Sequence, residues 1–322
     1  MSDFAVRLRA ALAERGISLR EAARTVPVDP GHLSRMLSGK RPTPEHVAQA
    51  LDHLVGADGA LAALAVTVTS EDRDRIAHSV LAPSQLDAGT VHALAEVLAA
   101  QRRLDDSLSA TTMLGPTSAQ WSTVERLARD ARGTHTDALH EVAAEWAQFL
   151  GWLHAEARND GDAIRWLTYA EDLADDIGSG ELAAQATNFK GYLARQQGRP
   201  RAVVRHFLTA YHTPGAAPLQ RVGDAAQAAH GYALLGERDA ARRLLGEASE
   251  LADDAADTEA PPTAYWLSPT FTRMGMGLVH LALGDRADAA QNLRVGLDSL
   301  PPEQQDAEWT NEYRDALSVA TA

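Results

Sequence analysis

The stretch Leu19–Pro42, LREAARTVPVDPGHLSRMLSGKRP, decides how the N-terminal part of the chain is read. Leu19, Ala22, Ala23 and Val26 recur at helical spacing, and Ala23 is small enough to let a second helix cross closely. The second helix has a clear start. Asp29 can accept hydrogen bonds from the free amides of the first turn, and Pro30 suits the first helical position, where its missing N–H costs nothing. Leu33, Met36 and Leu37 then share one face, which leaves Gly31, His32, Ser34 and Arg35 pointing outward. Two short helices, a tight turn and a basic Gly-Lys-Arg-Pro exit are the result, and an outward row of this kind can enter a DNA major groove.

Around this pair the periodicity predicts helices over about 3–15, 44–54 and 58–65, with Thr43 capping and Pro44 opening the fourth of five. One small core is expected from Phe4, Leu8, Leu12, Ala23, Val26, Leu33, Met36, Val47, Leu51 and Leu54. The polar stretch that follows, with SEDRDR and the turn-prone LAPSQLDAGT, reads as a linker holding about one helical turn. The expected organisation is a domain over 1–66, a linker over 67–89 and a second domain over 90–322.

The chain has 322 residues, no cysteine, an aromatic share of 5% and a net charge of −14. Alanine, leucine and arginine dominate, and Val66-Thr67-Val68-Thr69 is the one alternating β-branched run, so an all-α fold is expected. The lack of cysteine excludes disulfides, thiolate metal sites and a cysteine nucleophile, and it fits a reducing cytoplasm. No apolar run approaches a membrane span, and charges interrupt the first helix where a signal peptide would be apolar. The negative charge is unevenly spread. Residues 1–60 hold eight Lys/Arg against seven Asp/Glu, so the acidity lies in the rest of the chain. Within Arg15–Arg41 six basic residues face two acidic ones, a local footprint that suits phosphates.

From Thr90 onward the chain repeats itself. Gly191, Gly198, Val203, Phe207 and Ala210 are matched at the same spacing by Ala229, Gly236, Ala241, Leu245 and Ala248, and again by Gly277, Gly284, Ala289, Leu293 and Gly296. An earlier copy, Gly151, Ala163, Leu167 and Ala170, has Arg158 in place of the turn glycine. Small residues let paired helices approach, the glycine ends the first helix, and the large residue is expected to plug the gap between neighbouring pairs. Segments 90–111 and 117–133 read as further helices, and WTNEYRDALSVA near the end reads as a capping helix. Over about 150–301 the pattern resembles the tetratricopeptide repeat, which implies an α-solenoid of helix pairs. In such families the first helix of each pair lines a concave groove. The resemblance places Gln148, Trp152, Gln185, Asn188, Tyr192, Arg195, Gln196 and His230 there, where amide side chains can pair with a ligand backbone and the aromatics supply flat contact area. The alternative reading is a scaffold or dimer surface with a solvated polar face.

Residues 4 to about 60 resemble the lambda-repressor and Cro-like (XRE) helix-turn-helix family. Ala23, Val28, Leu33-Ser34-Arg35-Met36 and Gly39-Lys40-Arg41-Pro42 carry the resemblance. It implies base contacts from Gly31, His32 and Arg35 and phosphate contacts from Ser34, Lys40 and Arg41. Two positions depart from the family: Leu19 stands where a glutamine is common, and Pro27 replaces the usual turn glycine, so the turn must be rebuilt.

Catalytic motifs find no support. Gly178-Ser179-Gly180-Glu181-Leu182-Ala183 has the form of a dinucleotide loop but follows no strand, and His135 and His140, five apart, fall on different helix faces. Neither a metal nor a cofactor is expected, and no enzymatic activity. The sequence therefore points to a cytoplasmic, homodimeric transcriptional regulator of actinobacterial type that reads a double-stranded operator and senses a peptide or small-molecule effector. The competing reading is an interaction scaffold whose N-terminal fold does not bind DNA.

Overall fold

The computed structural model describes residues 3–26, 28–37, 43, 45–57, 70–105, 108–255, 258, 266–300, 304–305 and 307–322. Pro27, Gly39, Lys40, Arg41, Pro42, Pro44, the helix expected over 58–65, Val66–Thr69 and the side chain of Phe4 lie outside the described residues. All regular structure among those described is helical, and the chain divides into two compact units, Met1–Ala82 with Asp87–Ala100 and Pro83–Leu86 with Gln101–Ala322.

The first unit opens with α1 (Asp3–Glu14), α2 (Leu19–Thr25), α3 (Pro30–Leu37) and α4 (Glu45–Val55). Ser18 caps α2 by accepting the Glu21 N–H at 3.2 Å, and Asp29 caps α3 by accepting the His32 N–H at 2.9 Å. Leu8, Leu12, Ala22, Ala23, Val26, Leu33, Met36, Leu37, Val47 and Leu51 form the buried core, with Leu54 packed at its edge. Pro27 itself lies outside the described residues, but its neighbours on both sides are described. Val26, which precedes Pro27, is extended at φ −94° and ψ 113°, because a residue before proline is crowded out of the helical region. The Val28 N–H then reaches back to the Ala23 carbonyl at 3.3 Å, which keeps α3 across α2.

The stretch expected as a linker is helical instead. It carries α5 (Ser70–Leu81), a 3-10 turn at Pro83–Gln85 and the start of α6 (Ala88–Asp105). Polar pairs, rather than an apolar stripe, hold it. Arg75 bridges Glu71 at 2.7 Å and Asp87 at 3.1 Å, while Ser79 and Thr90 share a buried hydrogen bond of 2.9 Å. Asp87 caps α6 through the Thr90 N–H at 2.7 Å, and the two Thr90 hydrogen bonds, helped by Arg75, hold its carboxyl below the usual range.

The second unit continues with α7 (Ala110–Asp130), α8 (Thr136–Glu156), α9 (Asp160–Asp176), α10 (Gly180–Gln196), α11 (Pro200–His212), α12 (Pro218–Leu234), α13 (Arg238–Asp254), α14 (Pro269–Leu283), α15 (Arg286–Asp298) and α16 (Asn311–Thr321). Consecutive helices pack as pairs, α8 with α9, α10 with α11, α12 with α13 and α14 with α15, in solenoid order. The first helices of successive pairs also touch, α8 with α10, α10 with α12 and α12 with α14.

The spacing read from the sequence has a direct geometric meaning, although the large residue sits elsewhere than expected. It closes onto the glycine of its own pair rather than the gap between pairs. A Cβ on Gly151 would stand 2.6 Å from Leu167, on Gly191 2.8 Å from the Phe207 ring, and on Gly277 2.7 Å from Leu293. Contacts between pairs use other glycines: Gly231 of α12 meets Val203 and Val204 of α11, and Gly180 of α10 lies against the Pro214 carbonyl, where a Cβ would be 1.8 Å away. The pair turns at Gly198, Gly236 and Gly284 have positive φ, and Arg158 adopts the same conformation at φ 58°. An L-residue there costs roughly 1–3 kcal/mol, and Arg158 is tied down by Asp160 and the Gln196 carbonyl at 3.4 Å each.

The same substitution is expected to act in opposite directions at two glycines. Gly191→Ala, driven into a buried aromatic ring, should lower unfolding free energy by about 1–3 kcal/mol. Gly246→Ala, exposed in mid-α13 with nothing within 4 Å, should raise it by about 1 kcal/mol. Urea denaturation of the two variants reads both, and equal signs would contradict this account of the repeat.

Candidate nucleic-acid interface and candidate effector cavity

In the first unit, α3 buries Leu33, Met36 and Leu37 and leaves Gly31, Ser34 and Arg35 exposed, with His32 half-buried. The four outward residues expected from the sequence thus share one face. A Cβ on Gly31 would meet Asp29 Oδ1 at 3.1 Å and Arg35 Nη1 at 3.6 Å, so the guanidinium lies back along the helix toward its capped start. Lys40 and Arg41 fall outside the described residues. The sequence reading missed Arg20 and Arg24, which stand exposed on α2, the helix that crosses α3. Their signal was present: both occupy the polar face opposite Ala22 and Ala23.

The second unit contains a cavity of about 130 Å³ whose wall comes mainly from the inner helices. α8 supplies Gln148, Phe149 and Trp152; α10 supplies Asn188, Phe189, Tyr192 and Arg195, all on one face at helical spacing. The last turn of α6 adds Arg102 and Asp105, α12 adds Gly223 and Gln227, and α14 with the segment before it adds Trp266, Ser268 and Phe271. The C-terminal segment is more than a solvent cap, because Trp309 and Tyr313 complete the wall and Glu312 pairs with Arg195 at 2.8 Å. Phe207 both fills the space over Gly191 and lines the cavity.

Five of the eight groove residues expected from the sequence reach this cavity: Gln148, Trp152, Asn188, Tyr192 and Arg195. The other three do not. Gln185 is fully buried and accepts from Gln148 at 2.9 Å; Gln196 donates to Glu156 at 3.1 Å and to the Tyr192 hydroxyl at 2.9 Å; His230 is buried beside Arg195. The sequence reading missed the aromatic content. Six Trp, six Tyr and five Phe make seventeen aromatic residues in the chain, and nine of them line this one cavity. They contact each other at centroid distances of 5.0 Å (Trp152–Tyr192), 5.2 Å (Trp152–Phe189 and Phe189–Trp266) and 6.1 Å (Phe271–Trp309). Their sequence separation hid this, since Trp266 and Trp309 come from segments that carry no repeat signature.

The polar groups around the wall are already bonded. Arg102 donates to Gln148 at 3.0 Å and to the Glu145 carbonyl at 3.2 Å, Trp152 donates to Asp105 at 2.7 Å, and Arg195 donates to Gln227. Burial opposes the charge on Arg195 most strongly, but the Glu312 carboxylate together with Tyr313 and Tyr192 outweighs it, so the guanidinium is held protonated. Tyr192 donates to Glu156, whose carboxyl burial pushes up against the pull of Tyr192 and Gln196. Deeper, Asp224 accepts from Asn188 at 2.6 Å and from Gln220 at 3.0 Å, and it has no cationic partner among the described residues. Burial pushes its carboxyl up to about 8. His230 is pushed down to about 3, by burial first and then by the Arg195 charge.

Among the described residues no group of three or more His, Asp or Glu could hold a metal ion, and no helix is long and apolar enough to cross a membrane. A family model described as a helix-turn-helix domain matches residues 3–65. No curated protein and no solved structure matches the chain.

These two buried groups give stability a pH dependence of known sign. Folded Asp224 binds its proton more tightly than the unfolded chain does, so its contribution is complete below about pH 4 and is lost as pH rises to about 8. His230 acts in the opposite sense, because the unfolded chain takes up a proton below about 6.5 while the folded chain resists until about 3. The two oppose each other between about pH 4 and 6.5, and above that Asp224 acts alone. Between pH 6.5 and 8 the wild type should lose about 2 kcal/mol, an effect Asp224→Asn should abolish. Denaturant titrations at the two pH values check it, and an equal loss in both proteins would contradict it.

Proposed function

We propose that the chain is a sequence-specific DNA-binding transcriptional regulator of the lambda-repressor and Cro-like type, with α3 as the helix that enters the major groove. The observation that carries this reading is the matched helix-turn-helix domain, whose capped α3 turns Gly31, His32, Ser34 and Arg35 away from a closed core. Gly31, His32 and Arg35 read base edges. Ser34, Lys40 and Arg41 grip phosphates, with Arg20 and Arg24 of α2 placed to add to that grip. The mildly basic balance of residues 1–60 supports the reading in an otherwise acidic chain.

The helical pairs of the second unit, read as tetratricopeptide-like, sense an effector in the aromatic cavity and hold two copies together. A homodimer then favours inverted half-sites about 34 Å apart, one turn of the duplex. Binding of effector and of DNA are coupled through the two units, so each changes the affinity for the other by the same factor.

Arg35→Ala should weaken binding to the selected operator by about 10- to 100-fold and relax base preference at one position. Replacing Lys40 and Arg41 by alanine should instead weaken all sequences alike and flatten the slope of log affinity against log salt by about two. Fluorescence anisotropy across a salt series reads both, and wild-type affinity in both variants would remove the assignment in favour of a scaffold that does not bind DNA.

A further inference from the structure

The chemistry of the cavity narrows what it holds. A peptide would need backbone donors and acceptors, yet amide side chains in the wall that could supply them are committed to protein partners. Gln148 lies between Arg102 and Gln185, Asn188 donates to Asp224, and Gln227 accepts from Arg195. The volume of about 130 Å³ is close to that of a cavity that takes up benzene, far short of a peptide segment. A cationic ligand is disfavoured as well. The ring faces that would cradle it already carry the protein's own cations, Arg102 at 5.9 Å from Phe149 and from Trp266, and Arg195 at 5.2 Å from Tyr192.

An aromatic acid asks less of the wall, since it needs ring edges and one cation, with Arg195 exchanging its bond to Glu312 for the ligand. The nine aromatic side chains offer edges and tilted faces to a flat ring. Arg195 lines the cavity, is 9% exposed and keeps its charge, and its Nε has no hydrogen-bond partner. Asp224, raised to about 8, is mostly protonated at neutral pH and adds little negative charge nearby. Glu312, Arg195's carboxylate partner on α16, is the group an incoming anion competes with. We propose that the cavity binds one compact planar aromatic acid of a single ring, with its ring among Trp152, Phe189, Tyr192 and Trp266 and its carboxylate directed at Arg195.

This inference rests on the reading of the second unit as effector-binding. Isothermal titration of the full chain at pH 7 with benzoate, cyclohexanecarboxylate, phenyltrimethylammonium and trialanine tests it. Benzoate should bind with Kd on the order of 0.1–1 mM, the range open to nine heavy atoms. Cyclohexanecarboxylate, of equal charge but no aromatic face, should bind about three- to tenfold more weakly, and the cation and peptide not at all. Glu312→Gln should tighten benzoate severalfold by removing the competing charge.

Gly223→Leu supplies the structural control. A Cβ there meets only Leu267, at 3.8 Å, so the side chain grows into the cavity from an intact α12. It should keep the helical circular dichroism and lose benzoate. Equal or tighter binding of cyclohexanecarboxylate or trialanine, lost in Gly223→Leu, would overturn the aromatic acid and leave an effector cavity standing. Benzoate binding unchanged in Gly223→Leu would place it outside the cavity and overturn the proposal. Silence from all four probes would overturn both the aromatic acid and the cavity as a small-ligand site.

Discussion

Three of the four helix pairs in the second unit depend on the contact between a glycine on the first helix and the large side chain sixteen residues later, and the fourth, α12 with α13, has Ala229 in the glycine's place. At Gly151–Leu167, Gly191–Phe207 and Gly277–Leu293 the space a Cβ would occupy is filled by the partner helix. Two helix axes can approach this closely only where one surface lacks a side chain, and the large residue then removes the void that would otherwise remain. Fixing each pair fixes the row of first helices, α8, α10, α12 and α14, and that row is the cavity wall. Phe207 makes the connection explicit. Its ring closes on Gly191 while the side chain also lines the cavity, so the repeat's packing rule and the site share a residue.

The elements that were legible in the sequence are those whose cause is local. Asp29 and Pro30 mark a helix start, and the small-to-large spacing marks the pairs; each depends on neighbours within about sixteen residues. α5 was illegible for a physical reason. Its stability comes from Arg75 with Glu71 and Asp87 and from Ser79 with Thr90, pairs that a hydrophobic pattern does not register. The groove was half legible. Of the residues the repeat resemblance placed in a groove, Gln148, Trp152, Asn188, Tyr192 and Arg195 line the cavity, but the resemblance does not show that their polar atoms are taken or that Trp266, Trp309 and Tyr313 arrive from distant segments. The hydrogen bond between Arg195 and Glu312 spans 117 residues, beyond the reach of any local pattern.

The charge distribution joins the two halves of the functional reading. A chain of net −14 binds a polyanion only if its acidity is kept off the contact face, and the N-terminal helices meet that condition with arginines on the exposed sides of α2 and α3. In the second unit most acidic groups are exposed, but three are drawn into the interior. Glu145, Glu156 and Asp224 are all pushed above their usual range by burial, while Arg195 stays charged.

The central claim is that the capped, outward-facing α3 reads DNA sequence. Selection of bound duplexes from a randomised pool by the full-length chain, followed by sequencing over successive rounds, tests it most directly. The account requires an enriched motif whose inverted halves lie one helical turn apart. A pool that stays flat through every round at low salt would contradict it.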